Sequence, residues 1–428
     1  MKVKFKHVKT IFILVILLAV LAAPVSWSAD ESLIKLLHEK KYLTDAEAAR
    51  LLEEAKQRET KGMEEIKKDI QTEVKKISLP SALKGLKVSS TIFFYWENKS
   101  KFSGNDANLN KFVLERAYFT IAKELSDKVS MNVTADLFTS KDPDDTGNGL
   151  ELRVKYAYAD LKLFGTSTKL GLVPTPSDAY DSSIWPYRVQ GKHLLDALGI
   201  MSSADFGVAN QGSIGEMDSD YFKYGSKTFG GRWGGWMIGL YNGAGYDQSE
   251  ENNNKVVSGL IYVRPLPTVP ILKGLQLAYI GSYGKSNRKF ASATDGPLTD
   301  YPTWQVNIAQ ASIVHPYFTL LGQYYWGKGT KNSTEEKNRK GYLTAGFIRI
   351  PKVEKLRVFG KYYTYDPDTD RTATSTSKKD EYQVYTVGLS YDWSNEFMPF
   401  VAWEREDNKS FSSRIDYNRY QIGFQLKF

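Results

Sequence analysis

The sequence predicts an all-β protein, a 16-stranded antiparallel transmembrane β-barrel preceded by an N-terminal α-helical segment. Three observations point there. Stretches of about ten residues that alternate apolar and polar side chains recur from Lys87 onward, as tilted membrane strands require. The connections between them alternate between short and long. Beyond the N-terminus, no window approaches the roughly 20 apolar residues that a membrane helix needs, so any crossing must use strands.

The N-terminus has Lys2, Lys4, Lys6 and Lys9, then an apolar run from Ile11 to Ala23, then small residues around Ser26 and Ser28. Such a run of about 13 residues is too short for a bilayer and suits a secretory signal peptide. Residues 1–28 are therefore expected to be a signal peptide. The absence of cysteine excludes disulfides, thiolate catalysis and cysteine-ligated zinc.

Residues 29–79 are expected to be a periplasmic helical segment, since Asp30 to Ile77 is rich in Glu, Lys, Ala and Leu. Thr44 and Glu47 form a capping box that opens one helix. After Gly62, the residues Met63, Ile66, Ile70, Val74 and Ile77 recur at steps of three and four and make one apolar stripe. Self-association as a short trimeric coiled coil would bury that stripe, and so would packing against the barrel rim or a neighbour. Pro80 ends the segment.

Residues 80–428 carry the barrel. Strands are expected near 87–97, 111–122, 128–139, 150–163, 167–173, 206–214, 235–242, 254–265, 274–284, 303–315, 317–326, 341–350, 355–365, 382–393, 397–406 and 414–428. The sixth and seventh flank a glycine-rich stretch whose pairing is unreadable. Short joints such as 125–127 and 394–396 read as periplasmic turns, and long polar ones such as 98–110, 286–302 and 366–381 as external loops. A soluble β-sandwich would also alternate, but it would not place Tyr95, Trp96, Trp304, Tyr325, Trp326, Trp393 and Trp403 at strand ends as membrane-interface girdles do.

These features resemble the phosphate-selective porin O and P family of Gram-negative outer membranes. The matching stretches are Phe112-Val-Leu-Glu-Arg-Ala-Tyr-Phe, Tyr158-Ala-Asp-Leu-Lys-Leu, Thr168-Lys-Leu-Gly-Leu-Val-Pro-Thr-Pro and Gly239-Leu-Tyr-Asn-Gly-Ala-Gly. The resemblance implies a trimeric porin whose third loop folds into the lumen, and the stretch from Trp185 to His193 resembles the arginine-bearing part of that loop. It also implies outer-membrane lipid as surroundings. The terminal aromatic Phe428, with apolar residues two apart behind it, resembles the signal read by the outer-membrane assembly machinery.

If apolar faces meet lipid, the opposite faces line a pore. Arg116, Arg153, Lys155, Arg264, Arg357, Lys361 and Arg419 then point inward, joined by Arg188 and Lys192 of the third loop. Rings of Arg and Lys lower the electrostatic cost of admitting anions. Each cation could equally be paired with an acid such as Glu115, Asp136, Glu151 or Glu404. The whole chain is +8 and the part after residue 78 keeps a basic excess, which favours the group reading.

The expectation is passive diffusion of small hydrophilic solutes, with anions preferred and phosphate or another oxyanion as the case the resemblance raises. Two alternatives stay open: a sugar or neutral-solute channel using Phe93, Tyr95, Phe359 and Tyr363 as a stacking track, and a barrel that sheathes a partner protein. Catalysis is not expected, because His193 and His315 lie far apart and no G-x-S-x-G elbow occurs. No cofactor or metal is called for. Nucleic acid is excluded as a partner because the cations alternate with lipid-facing residues instead of forming one surface.

Overall fold

The computed structural model describes residues 44–47, 49–50, 52–53, 84–101, 109–139, 149–221, 227–370, 381–408 and 416–428. They fall in two units that divide after Lys84. In the first, the capping box is formed: the Glu47 N–H donates to Thr44 Oγ1 at 3.4 Å and the Thr44 N–H donates to Glu47 Oε2 at 3.0 Å. The expected signal peptide and the stripe from Met63 to Ile77 lie outside the described residues.

The second unit is a closed antiparallel barrel of sixteen strands in chain order. They are β1 (Leu86–Lys101), β2 (Leu109–Ser126), β3 (Val129–Thr139), β4 (Leu150–Leu163), β5 (Thr166–Pro174), β6 (Ala204–Ile214), β7 (Gly234–Tyr241) and β8 (Val256–Val263). There follow β9 (Leu275–Lys285), β10 (Thr303–Val314), β11 (Phe318–Lys328), β12 (Asn338–Ile350), β13 (Val353–Asp366), β14 (Tyr382–Tyr391), β15 (Phe397–Asn408) and β16 (Tyr417–Lys427). β16 closes on β1, with Phe424 opposite Phe94 and Ile422 opposite Trp96. That seam leaves no free strand edge facing lipid.

Side chains obey the two-residue period. Phe112, Leu152, Ile238, Leu320 and Ile422 face outward and exposed, whereas Arg116, Asp136, Ser258, Gln323 and Glu404 are buried inside. β12 turns Leu343 and Ala345 inward and Tyr342 and Ile348 outward. Register shifts interrupt four strand pairs, and two of them bear on the lumen. One leaves Glu115 without an opposite partner on β1, and the other does the same to Lys155 opposite β3. Glu115 and Arg116 both reach the lumen as a result, and so do Lys155 and Tyr156.

The expected girdle needs correction. Trp326 and Trp393 are exposed outside, but Tyr95, Trp304 and Tyr325 are buried inside. Neighbours such as Tyr95 and Trp96 sit on opposite faces of a pleated strand, so only one of each pair can meet lipid.

Connections at the two rims differ. At one rim lie L3 (residues 175–203), L4 (242–255), L5 (286–302) and L6 (329–337). At the other lie short turns and one long connection, T3 (215–233). L3 contains α1 (Pro176–Ile184) and α2 (Leu194–Ala197) and runs inside the barrel. Its Tyr180, Tyr187, Val189 and Ile200 are fully buried, and α1 lies against β7 and β8. T3 also turns inward and buries Tyr221 and Phe229. Where T3 rejoins the wall, Gly234 has φ +137°, and a Cβ there would collide with the Tyr262 carbonyl oxygen.

Candidate functional site: a lane between the third loop and the wall

L3 leaves the wall between β5 and β6 and is fixed at its far end to β13–β16, about half the circumference away. Tyr187 stacks on Phe359 with ring centroids 4.0 Å apart and shares a 2.8 Å hydrogen bond with Ser390. Gln190 donates to Glu404 at 2.7 Å and accepts from Lys361 at 2.9 Å, and its carbonyl accepts from Arg419 at 3.3 Å. L3 therefore spans the lumen as a bridge.

The space under and over one side of the bridge is filled. Tyr180 of α1 meets Phe229 of T3 and Tyr262 of β8, each with centroids 5.3 Å apart. Gln276 joins the two loops, accepting from Tyr180 and donating to Tyr221. From the opposite rim, L4 and L6 are tied together by Lys331 and Asp247 at 3.0 Å, and L6 is tied to L3 by the Lys331 N–H donating to the Ile200 carbonyl. These contacts pack the β6–β12 half.

The other side remains open. A space of about 860 Å³ lies between L3 and the walls of β1–β3, β13, β15 and β16. Its lining includes Lys99, Lys111, Arg116, Lys192, Lys361 and Arg419 against Glu97, Glu115 and Glu404. A larger hollow of about 1050 Å³ lies on the outer wall over β10–β13, where Ala311, Gly322, Gly346 and Gly360 thin the belt. Those residues share the outward face, so this hollow is not the passage.

The nine cations expected at the site all face inward but divide among five places. Arg116 and Arg153 sandwich Phe138, at 4.6 and 4.3 Å from its ring, and both reach Asp136, at 3.5 and 3.2 Å. Lys155 lies beside them, buried, with its ammonium 3.3 Å from the Tyr118 hydroxyl. Arg188 and Lys192 flank Asp196 at 3.5 and 3.0 Å. Arg419 pairs with Glu404 at 2.7 Å and lies 3.8 Å from Glu97, with Lys361 across the Gln190 amide. Arg357 sits near the short-turn rim, where it shares Asp392 with Arg349. Arg264 stands apart, covered by T3, with Tyr221 3.4 Å from its guanidinium. Only Arg116, Lys192, Lys361 and Arg419 of the nine line the open space; Arg153, Lys155, Arg188, Arg264 and Arg357 do not.

Pairing is the rule for these cations, and the acids Asp136 and Glu404 supply much of it. Stacking on an aromatic face adds about 0.5–2 kcal/mol per contact and holds each guanidinium plane in place. Arg116 still has Nε without a hydrogen bond, although only 4% of its surface is exposed. The residues that sequence reasoning missed are Gln190, Tyr187, Lys99, Lys111 and the whole of T3. Lys99 and Lys111 were within reach of the alternation rule, since both share the inward phase of Tyr95 and Val113.

Within L3, burial and neighbouring charges together set the ionisation. The Asp181 carboxyl is pushed up to about 7 by burial, against a hydrogen bond from Gln323 that favours its charge. His193 is pushed down to about 4 by burial and stays neutral beside Ser182. Burial also opposes the charge of Asp196, but Lys192 and Arg188 outweigh it and hold that carboxyl below the usual range.

Solved structures share this architecture. Salmonella typhi OmpF, in a complex with daunomycin, matches with a TM-score of 0.54 at 12% identity over 80% of this chain and 97% of that one. The outer membrane channel DcaP of Acinetobacter baumannii matches at 0.53 and 11%, over 80% and 97%. An anion-selective porin from Comamonas acidovorans matches at 0.50 and 10%, over 80% and 99%. The fold matches that of outer-membrane porins. No protein-family description and no curated protein matches the chain, so the likeness to the O and P family rests on the stretches quoted above.

Proposed function

We propose that this protein is an outer-membrane channel through which small hydrophilic solutes diffuse passively, with anions preferred. The observation that carries the reading is the lining of the lane, where six Lys and Arg side chains face three carboxylates. A ring with surplus fixed positive charge lowers the barrier to anions and raises it to cations. Width is set by L3, charge preference by the wall and the loop together.

Of the nine expected cations, Arg116, Lys192, Lys361 and Arg419 act at the lane itself, joined there by Lys99 and Lys111. Phosphate is one anion of suitable size and charge. The sugar-channel alternative is weaker, because Phe359 is covered by Tyr187 and only part of the aromatic track faces the lane. A barrel sheathing a partner protein is weaker still, since L3 and T3 occupy the lumen.

A trimer is supported by an asymmetry of the outer wall. Tyr279, Tyr283, Tyr324, Trp326, Tyr342 and Tyr420 form an exposed girdle over β9–β16. Over β2–β8 the exposed outward residues of the described strands are aliphatic or Phe, such as Phe112, Leu152, Leu240 and Val257. Rings of Tyr and Trp mark lipid interfaces, so the girdle-free face suits contact with other copies. The rim with short turns faces the periplasm, where residues 29–79 would lie.

The deciding measurement is the reversal potential of purified protein in a planar bilayer under a salt gradient. Anion preference is the expected sign. A cation-selective or unselective channel overturns the charge reading, and absence of conductance overturns the channel.

A further inference from the structure

We infer that Gln190 is the positioning residue that latches L3 to the opposite wall and so sets the width of the lane, an inference that rests on the channel reading above. Gln190 is 1% exposed and lies in the middle of an otherwise irregular stretch. Its amide stands between two charged groups of the wall. Nε2 donates to Glu404 on β15 at 2.7 Å, and Oε1 accepts from Lys361 on β13 at 2.9 Å. Both polarities of one neutral group are thereby used, which neither a carboxylate nor an ammonium could do.

Glu404 is held ready for this contact by Arg419 at 2.7 Å, Tyr417 at 3.0 Å and Thr386 at 3.2 Å. The wall half of the latch is thus ordered by contacts of its own, independent of the loop. Tyr187 supplies a second anchor three residues earlier through Phe359 and Ser390. Tyr187 fixes the loop to β13 and β14 without lining the open space, whereas Gln190, Gly191 and Lys192 form its edge there. Movement at Gln190 therefore changes the lane, while Tyr187 keeps the bridge as a whole in place.

An L3 edge freed from Glu404 and Lys361 is ordered only by its neighbours, and a buried carboxylate and ammonium lose a bonded partner each. The lane should then widen and fluctuate. Polymer exclusion in planar bilayers reads width independently of charge: neutral polyethylene glycols small enough to enter reduce conductance, and larger ones do not. Gln190→Ala should admit larger polymers than the unaltered protein and raise single-channel conductance by at least about 1.5-fold.

Gln190→Glu puts a carboxylate against Glu404 and should also widen the lane. Adding Glu404→Gln exchanges amide and carboxylate, keeps the donor and acceptor count across the pair, and should restore the original polymer cut-off. Folding of each variant is read from its unheated gel mobility. An unaltered cut-off in Gln190→Ala, or failure of the double exchange to restore it in a folded variant, overturns the latch. Failure of the unaltered protein to conduct would instead remove the channel reading.

Discussion

Asp181 and His193 titrate across one pH window with opposite effects on the loop that carries them. Asp181 is raised to about 7 by burial, so seated L3 binds a proton that a released loop would lose above the ordinary value of 3.8. Its contribution to seating therefore falls as pH rises from about 4 to 7. His193 is lowered to about 4 from 6.5, so the released loop binds the proton, and its contribution rises over nearly the same interval. Each slope is at most about 1.4 kcal/mol per pH unit, and the two oppose. Asp181→Asn should therefore leave L3 amide protection, corrected for intrinsic exchange, rising from pH 4 to 6.5, and His193→Asn should leave it falling. Identical flat profiles in both variants would show that these groups are not buried in solution. The cations at this scale were legible because strand phase fixes direction: Arg116, Arg153 and Arg419 had to point inward, and Asp136 and Glu404 were visible as their partners. Gln190 was not legible, because an uncharged amide in an irregular loop has neither period nor charge to mark it.

At the scale of elements, all sixteen strands lay where alternation put them, including β6 and β7, whose glycines had made pairing unreadable. T3 could not be foreseen. Periodicity reports which face of a strand is wet, but it says nothing of whether a connection folds outward or back into the lumen, and Tyr221 and Phe229 carry no spacing that points to Tyr180. The inward course of T3 also explains why Arg264, expected to line the pore, ends under a tyrosine ring. Truncating a buried large aromatic to Ala typically removes about 3–5 kcal/mol of packing. Tyr221→Ala with Phe229→Ala should accordingly loosen the plug beneath α1 and add a second conducting level in single-channel records. A single unchanged level would mean that L3 and L4 close that half without T3.

For the whole molecule, the uneven girdle yields an expectation about assembly. A mid-membrane Arg on a lipid-facing site destabilises a barrel by about 2–4 kcal/mol wherever it is placed. Leu152→Arg, on the girdle-free side, should in addition abolish the trimer band expected on unheated gels, whereas Ile422→Arg, beside Tyr420, should leave it in place. Equal behaviour of the two would assign the aliphatic face to lipid instead. This asymmetry was hidden in the sequence because it appears only once outward residues are sorted by strand. The half-filled lumen has a consequence for how such a chain can change over time. T3, L4 and L6 interlock with L3 on the β6–β12 side, while the wall residues that line the open lane stand mainly on β1–β3 and β13–β16. Substitutions that retune traffic thus fall mostly away from the interlocked loops, and a designer seeking a new cargo could rewrite one wall and keep the other as a fixed chassis.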